Sequence, residues 1–160
     1  MDLKDYIRSI KDYPKKGILF RDITTLIKNE TAFEESINQI IERSKKFKID
    51  KIAAIESRGF VFASAVSYIL KKPFIMLRKK NKLPASVHSV DFELEYGTAT
   101  IEVHKDSISE NDSVLIIDDL IATGGTAEAA AKLVEISKGN IAAFIFVINL
   151  FDLGLSLIHI

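Results

Sequence analysis

Apolar positions along this chain recur at two spacings, one helical and one extended. Leu3, Tyr6, Ile7 and Ile10 fall at helical intervals, and Pro14 with Gly17 closes that first helix ahead of a short extended segment, ILFRD. Thr31 and Glu34 have the capping-box spacing at the head of a second helix, whose apolar face is Phe33, Ile37, Ile40, Ile41 and Phe47. The chain leaves that helix at Ile49 and Asp50. Two strand–loop–helix units come next: Ile52 to Ile55 leads into a helix over Phe60 to Leu70, and Val114 to Ile117 leads into a helix over Ala127 to Ile136. Val114 to Ile117 is continuously β-branched or leucine, the pattern of a strand covered on both faces of a parallel sheet. Further strand runs at Phe74 to Leu77 and Ala142 to Ile148 follow the two units. This alternation predicts an α/β fold with a mainly parallel central sheet flanked by helices, its ligands lying beyond the carboxyl ends of the strands.

Two stretches interrupt the alternation. Phe92 to Tyr96 and Thr98 to His104 read as paired extended segments joined around Gly97, with Ile101 and Val103 on one face. Arg78 to Ser89, RKKNKLPASVHS, is polar, basic and broken by Pro84, and reads as a mobile loop. The chain shows no internal repeat and no low-complexity segment.

Composition narrows the class of partner. At 160 residues and 48% hydrophobic, the chain has the material for one domain with a full core. Lysine plus arginine equal aspartate plus glutamate at 22 each, so no global field draws nucleic acid or an acidic membrane, and any anion site must be local. The absence of cysteine removes disulfides, thiolate metal sites and a cysteine nucleophile. His88, His104 and His159 are too widely spaced to suggest a metal cluster. The longest apolar runs are too short to span a bilayer and the charged amino terminus lacks a signal-peptide pattern, so a cytoplasmic protein is expected.

Candidate chemistry concentrates in VLIIDDLIATGGTAEAAAKL, Val114 to Leu133. After the strand come adjacent acids, Asp118 and Asp119, then a small-residue loop, Ala122, Thr123, Gly124, Gly125 and Thr126, then a helix for which Thr126 is the expected N-cap. Glycines let the backbone approach a ligand, and free N–H groups at a helix start suit a phosphate monoester, although Glu128 in the first turn partly competes. No lysine follows the second glycine, as a Walker loop requires, and dinucleotide-type glycine spacing is absent. Acids beside a phosphate cradle repel unless hydroxyls or a cation lie between them. A ribose 5-phosphate meets that condition, its 2- and 3-hydroxyls donating to Asp118 and Asp119, with Mg²⁺ nearby as an oxygen-preferring ion. The alternative is an acid pair facing solvent. In ESRGF, Arg58 offers forked donors to a second anion and Gly59 permits backbone approach, the alternative being an ordinary helix-start arginine.

The run VLIIDDLIATGGTA resembles the phosphoribosyl-pyrophosphate motif of type I phosphoribosyltransferases. YPKKGILFRDIT, IESRGFVF, RKKNKLP and LEYGTATIEVHKD, in that order, extend the resemblance over roughly Tyr6 to Leu153 and to the adenine branch of that family. The resemblance implies transfer of the phosphoribosyl group of 5-phosphoribosyl 1-pyrophosphate to adenine, giving AMP and pyrophosphate with inversion at the anomeric carbon, in a homodimer that uses Mg²⁺. Within one domain over 1–160 it implies a hood and base-binding segment at 1–30 and a mobile loop and flap at 78–104. Carried over by position, Phe20 stacks on adenine while Leu19 and Arg21 help read its edge. Glu95 acts near the attacking ring nitrogen and Tyr96 sits in the flap. Arg58, Lys79 and Lys82 bind pyrophosphate, the lysines being otherwise a solvated charge run. Asp118 and Asp119 serve the ribose and hold Mg²⁺, directly or through water. Carboxylates near the anomeric carbon suit the oxocarbenium character left by departing pyrophosphate, without a covalent nucleophile.

Departures from the family pattern are Thr25 for proline, Ala63 for glycine, Val87 for threonine and Phe92 for tyrosine, none of which removes a proposed catalytic group. After NLFDLG the family pattern gives way to LSLIHI, so 154–160 is expected to be an atypical, truncated tail. A noncatalytic regulator sensing a purine or phosphoribosyl pyrophosphate on this fold, or a transferase for another base, are the competing readings.

Overall fold

The structure is a computed structural model that describes residues 1–94, 97–121 and 124–149. The chain divides into two compact units, Met1–Arg43 and Ser44–Ile160.

In the first unit a single 3-10 turn, Leu3–Tyr6, starts at Asp2, whose Oδ1 accepts from the Lys4 N–H at 3.0 Å. The helix expected to continue through Ile10 stops there. Arg8–Lys11 is instead a strand, β1, paired antiparallel with β2, Leu19–Asp22, in the register Arg8↔Asp22 to Lys11↔Leu19. A helix of two turns nucleates poorly on its own. The extended alternative gains a ladder and an Arg8–Asp22 ion pair at 2.5 Å. Asp22 also accepts from the Thr24 N–H at 2.9 Å and hydroxyl at 2.7 Å, fixing the start of α1, Thr24–Ile27. Thr25 in place of the family's proline has a visible use: its hydroxyl donates to the Tyr6 carbonyl at 2.6 Å. The next helix, α2, is Glu30–Ser44. Its cap is Asn29, whose Oδ1 accepts from the Ala32 N–H at 2.9 Å. Thr31, the expected cap, already lies inside the helix. The buried stripe is Ala32, Ser36, Ile37, Ile40 and Ser44, while Phe33, Ile41 and Phe47 of the expected face are only half-buried.

The second unit is a six-stranded sheet with helices on both faces. Its strands are β3 (Lys51–Ile55), β4 (Phe74–Lys79), β5 (Val87–Leu94), β6 (Gly97–His104), β7 (Ser113–Ile121) and β8 (Asn140–Asn149), in the order β5-β6-β4-β3-β7-β8. β4, β3, β7 and β8 run parallel, and the β5–β6 hairpin adds antiparallel to β4 through Arg78↔Glu102 and Lys79↔Ile101. The expected mainly parallel α/β sheet is therefore present, with an antiparallel edge. Ala53, Ile55, Ile75, Leu77, Val114, Ile116 and Phe144 share a core with Ala130, Leu133 and Val134 of α4, Gly125–Ile136. Strand alternation sends Ile52, Ala54, Leu115 and Ile117 to the other face. All four are buried there, where α3, Arg58–Leu70, packs over β3, β4 and β7.

Two sequence boundaries move. The expected loop Arg78 to Ser89 shrinks to 80–86, because Arg78 and Lys79 pair with β6 and Val87 to Ser89 belong to β5. Short bonds tie its remainder: the Ala85 N–H donates to His104 Nε2 at 3.2 Å and the Lys105 N–H to the Ser86 carbonyl at 2.9 Å. The strand expected to end at Ile117 continues to Ile121, since β8 pairs onward through Asp118↔Phe146 and Leu120↔Ile148.

Candidate active site

The carboxyl ends of β3 and β7, with the starts of α3 and α4, enclose a cleft of about 540 Å³ in the second unit. Glu56, Arg58, Lys79, Asp118, Asp119 and the Gly124–Thr126 segment all face it.

The acids lie within β7, not beyond it. Adjacent strand residues project to opposite faces. The Asp119 N–H donates to Asp118 Oδ1 at 2.8 Å, which ties the pair together. Asp119, its side chain 6% exposed, accepts from Arg58, Nε to Oδ2 being 2.8 Å. Burial pushes the Asp118 carboxyl up to about 8, with the neighbouring charge of Asp119 adding to it and Arg58 working the other way. A further cation or a pair of hydroxyl donors would suit such a pair.

Gly59 has a different role from the one expected. A Cβ there would sit 2.8 Å from Asp118 Oδ1 and 3.1 Å from the Ile117 carbonyl, so the missing side chain lets α3 close against β7. The space it leaves is filled by Asp118 and the β7 backbone.

The helix start is also shifted from expectation. Gly124, not Thr126, is the N-cap of α4, at φ 90°, a conformation glycine adopts without cost. Thr126 therefore lies in the first turn, where backbone N–H groups have no partner within the helix. Glu128 occupies the same turn, its own N–H bonded to the Gly124 carbonyl at 2.9 Å. Ala122 and Thr123, named for the same loop, lie outside the described residues, as do Glu95 and Tyr96 and the whole tail from Leu150 onward.

Across the cleft, Glu56 gathers the basic stretch. Its Oε1 accepts from the Lys79 N–H at 2.6 Å, its Oε2 lies 3.5 Å from Lys82 Nζ, and Arg78 Nε is 3.6 Å from Oε1. Burial opposes ionisation, but the Lys79 N–H and the charges of Lys82 and Arg78 outweigh it and hold the carboxyl below the usual range. Sequence reasoning passed over Glu56 although it opens the ESRGF stretch. An acid directly after a buried strand, as at Asp118, was the available signal.

Leu19, Phe20 and Arg21 are in β2 of the first unit. Phe20 pairs with Ile10, and its ring meets Tyr13 edge-on at 5.1 Å. Arg21 lies opposite Ser9 and donates to its hydroxyl. Alternation thus puts the Leu19 and Arg21 side chains on the strand face opposite to Phe20, so on the Phe20 face only their main chain is available. Among the described residues no cluster of three or more histidine or acidic side chains is arranged to hold a metal.

Comparison with known proteins bears on this site. The family model described as phosphoribosyl transferase domain matches residues 22–149. An adenine phosphoribosyltransferase of Pelagibacter ubique is 86% identical over 154 residues, spanning 96% of this chain and 88% of the relative. The crystal structure of adenine phosphoribosyltransferase from Thermoanaerobacter pseudethanolicus superposes with a TM-score of 0.92 at 47% identity, covering 94% of this chain and 88% of that one. The Saccharomyces cerevisiae enzyme, solved with D-2,5-dideoxy-2,5-imino-altritol 1,6-bisphosphate and adenine, gives a TM-score of 0.89 at 36% identity, with coverage of 94% and 88%.

Proposed function

The chain belongs to the phosphoribosyl transferase family, and we propose that it salvages adenine, transferring the phosphoribosyl group of 5-phosphoribosyl 1-pyrophosphate to the base to give AMP and pyrophosphate. The observation that carries this reading is one cleft in which half-buried Asp118, buried Asp119 and the glycine-capped start of α4 stand together. The α4 start takes the 5-phosphate, and the acids accept from the 2- and 3-hydroxyls of the ribose. Arg58, Lys79 and Lys82 receive the pyrophosphate. As the bond from the anomeric carbon to pyrophosphate oxygen breaks, positive charge develops at the sugar ring and the acids stabilise it. The base nitrogen bonds to the opposite face of that carbon, which inverts it. The base would stack on Phe20, with Glu95 taking part in proton transfer and Tyr96 covering the site.

The acid pair fits a divalent ion in charge, since a neighbouring cation would relieve the cost that burial imposes on Asp118. Among the described residues no third histidine or acidic side chain joins the two carboxylates as a metal ligand, and an oxygen-preferring ion can complete its shell with pyrophosphate and water. Asp118 and Asp119 would hold Mg²⁺ directly or through water, and the ion would neutralise charge on the leaving group.

The same reading includes a cytoplasmic homodimer. Exposed Val61, Tyr68 and Ile69 on α3 give the second unit an apolar surface in keeping with association, which light scattering of the purified chain tests. Among the described residues no helix is long and apolar enough to cross a membrane. For the reaction itself, free adenine, hypoxanthine, guanine and orotate are each assayed with phosphoribosyl pyrophosphate and Mg²⁺. AMP formation from adenine alone is expected. Turnover of another base in its place would change the substrate, and binding without turnover would make the chain a regulator.

A further inference from the structure

We infer that Glu56 is a positioning residue that aims the basic turn, Lys79 to Lys82, at the leaving pyrophosphate. This rests on the transferase reading for the identity of the anion.

Glu56 is fixed from two directions. Its backbone N–H donates to the Leu77 carbonyl at 3.0 Å, continuing the β3–β4 ladder by one residue beyond β3. Its side chain is only 8% exposed yet borders the cleft, and it reaches over to the end of β4. There the 2.6 Å bond from the Lys79 N–H pins the last residue of that strand, whose side chain also borders the cleft. The second oxygen holds Lys82 Nζ at 3.5 Å. A second buried carboxylate secures the turn from its other side: Glu102 accepts from the Asn81 N–H at 2.8 Å and from the Ser89 hydroxyl at 2.5 Å, with Asn81 at φ 68°. The turn between Lys79 and Lys82 is thus held by two acids, of which only Glu56 borders the cleft.

The charge balance explains why an acid at an anion site helps. Two cations, Arg78 and Lys82, and the Lys79 backbone N–H reach one carboxylate, and Arg78 Nε is buried without a hydrogen bond, 3.6 Å from Glu56 Oε1. A surplus of cations remains for an incoming anion. An untethered lysine must give up substantial rotamer freedom to meet a ligand. Holding Lys82 against Glu56, which itself borders the cleft, removes part of that ordering cost before pyrophosphate arrives, and the ammonium then passes from carboxylate to phosphate oxygens.

The test is a double-mutant cycle with Glu56→Gln, Lys82→Met and the combined variant, read by calorimetric titration with inorganic pyrophosphate and Mg²⁺. Glutamine keeps an oxygen for the Lys79 N–H and removes the charge that holds Lys82. Glu56→Gln is expected to weaken pyrophosphate binding about fivefold, the upper range for a partly exposed ion pair. In the Lys82→Met background the same change should have no further effect. In steady state, Glu56→Gln should raise the KM for phosphoribosyl pyrophosphate and leave kcat and the KM for adenine near wild type. Pyrophosphate binding equal to or tighter than wild type in Glu56→Gln would show that the acid only repels the anion. Additive losses would show that it does not act through Lys82, and either result overturns the inference. The base panel separates this from its premise: a wild type that binds pyrophosphate but transfers to no base sinks the transferase reading, whereas a fully active wild type with an additive cycle sinks only the role of Glu56.

Discussion

The two strand-to-helix crossings that meet at the cleft are built to one plan and carry acids in opposite electrical states. β3 passes into α3 through Glu56 and Ser57, and β7 is followed by α4, whose cap is Gly124. Burial is the largest influence on both Glu56 and Asp118, and in each it opposes ionisation. Yet Glu56 is held ionised by Lys79, Lys82 and Arg78, whereas Asp118 beside Asp119 is pushed up to about 8. Burial alone therefore does not set the state of an acid here. The number of donors and cations reaching each carboxylate does. One crossing is loaded with positive charge fit for a leaving anion, and the other with a carboxyl pair fit for hydroxyls, a cation and a developing oxocarbenium centre.

Neutralising the acid crossing should have the largest effect. Asp118→Asn combined with Asp119→Asn is expected to cut kcat on the order of 100- to 1,000-fold, the range for losing a preorganised electrostatic contact in a transition state, with circular dichroism unchanged. Near-normal turnover by the folded double variant would remove the contrast between the crossings.

Gly59 joins the crossings physically, so it offers the next largest break. Gly59→Ala places a methyl 2.8 Å from Asp118 Oδ1 and should destabilise the chain by about 1–3 kcal/mol in urea titrations, as overpacking does. An unchanged midpoint would mean that α3 can withdraw from β7 freely.

A substitution in the first unit sharpens the comparison from outside. Phe20→Ala should raise the adenine KM by about 1 kcal/mol, the low end of base–aromatic stacking, and leave the KM for phosphoribosyl pyrophosphate alone. Equal effects on both substrates would count against a base-stacking role.

The pH dependence gives the shallowest readout, because it is spread over several pH units. Asp118 moves from an ordinary 3.8 to about 8, so the folded chain retains a proton that the unfolded chain has released, and this group's contribution to stability falls as pH rises across that interval. Asp22 moves the other way, from 3.8 to about 2, chiefly through its hydrogen bond from Arg8, then through Thr24. Its contribution is complete above 3.8 and is lost as pH falls through about 2. In metal-free denaturation series, Asp118→Asn should gain on wild type as pH rises from 4 to 8. Asp22→Asn should be less stable than wild type at neutral pH, and that gap should close towards pH 2. Parallel curves for Asp118→Asn and wild type would mean that the pair is already neutralised in the fold.

Legibility in the sequence followed the range of the interactions involved. Ile52 to Ile55, Val114 to Ile117 and both crossover helices were readable because their apolar spacing is a local property, and the acid pair with its glycine loop was readable because strand, acids and loop are contiguous. Ile10 was misread as helical because its strand pairing lies across a turn at Phe20. Arg78 and Lys79 were misread as loop because the partners that make them a strand, Glu102 and Ile101, come more than twenty residues later. The cap lies two residues before Thr126 because a cap at φ 90° is a backbone fact that composition only hints at through Gly124.

By itself the sequence determined the alternating α/β class and the place of the acid pair ahead of a glycine-started helix, since each follows from hydrophobic period or from neighbours along the chain. Tertiary structure alone decided which charges those acids meet. Glu56 finds Lys79 and Lys82 because β3 pairs with β4, and Asp118 meets the backbone of Gly59 because α3 lies over β7. The order β5-β6-β4-β3-β7-β8 brings such distant residues within 4 Å, and at that range the surrounding donors and cations, not the residue type, determine whether a buried carboxyl keeps its proton.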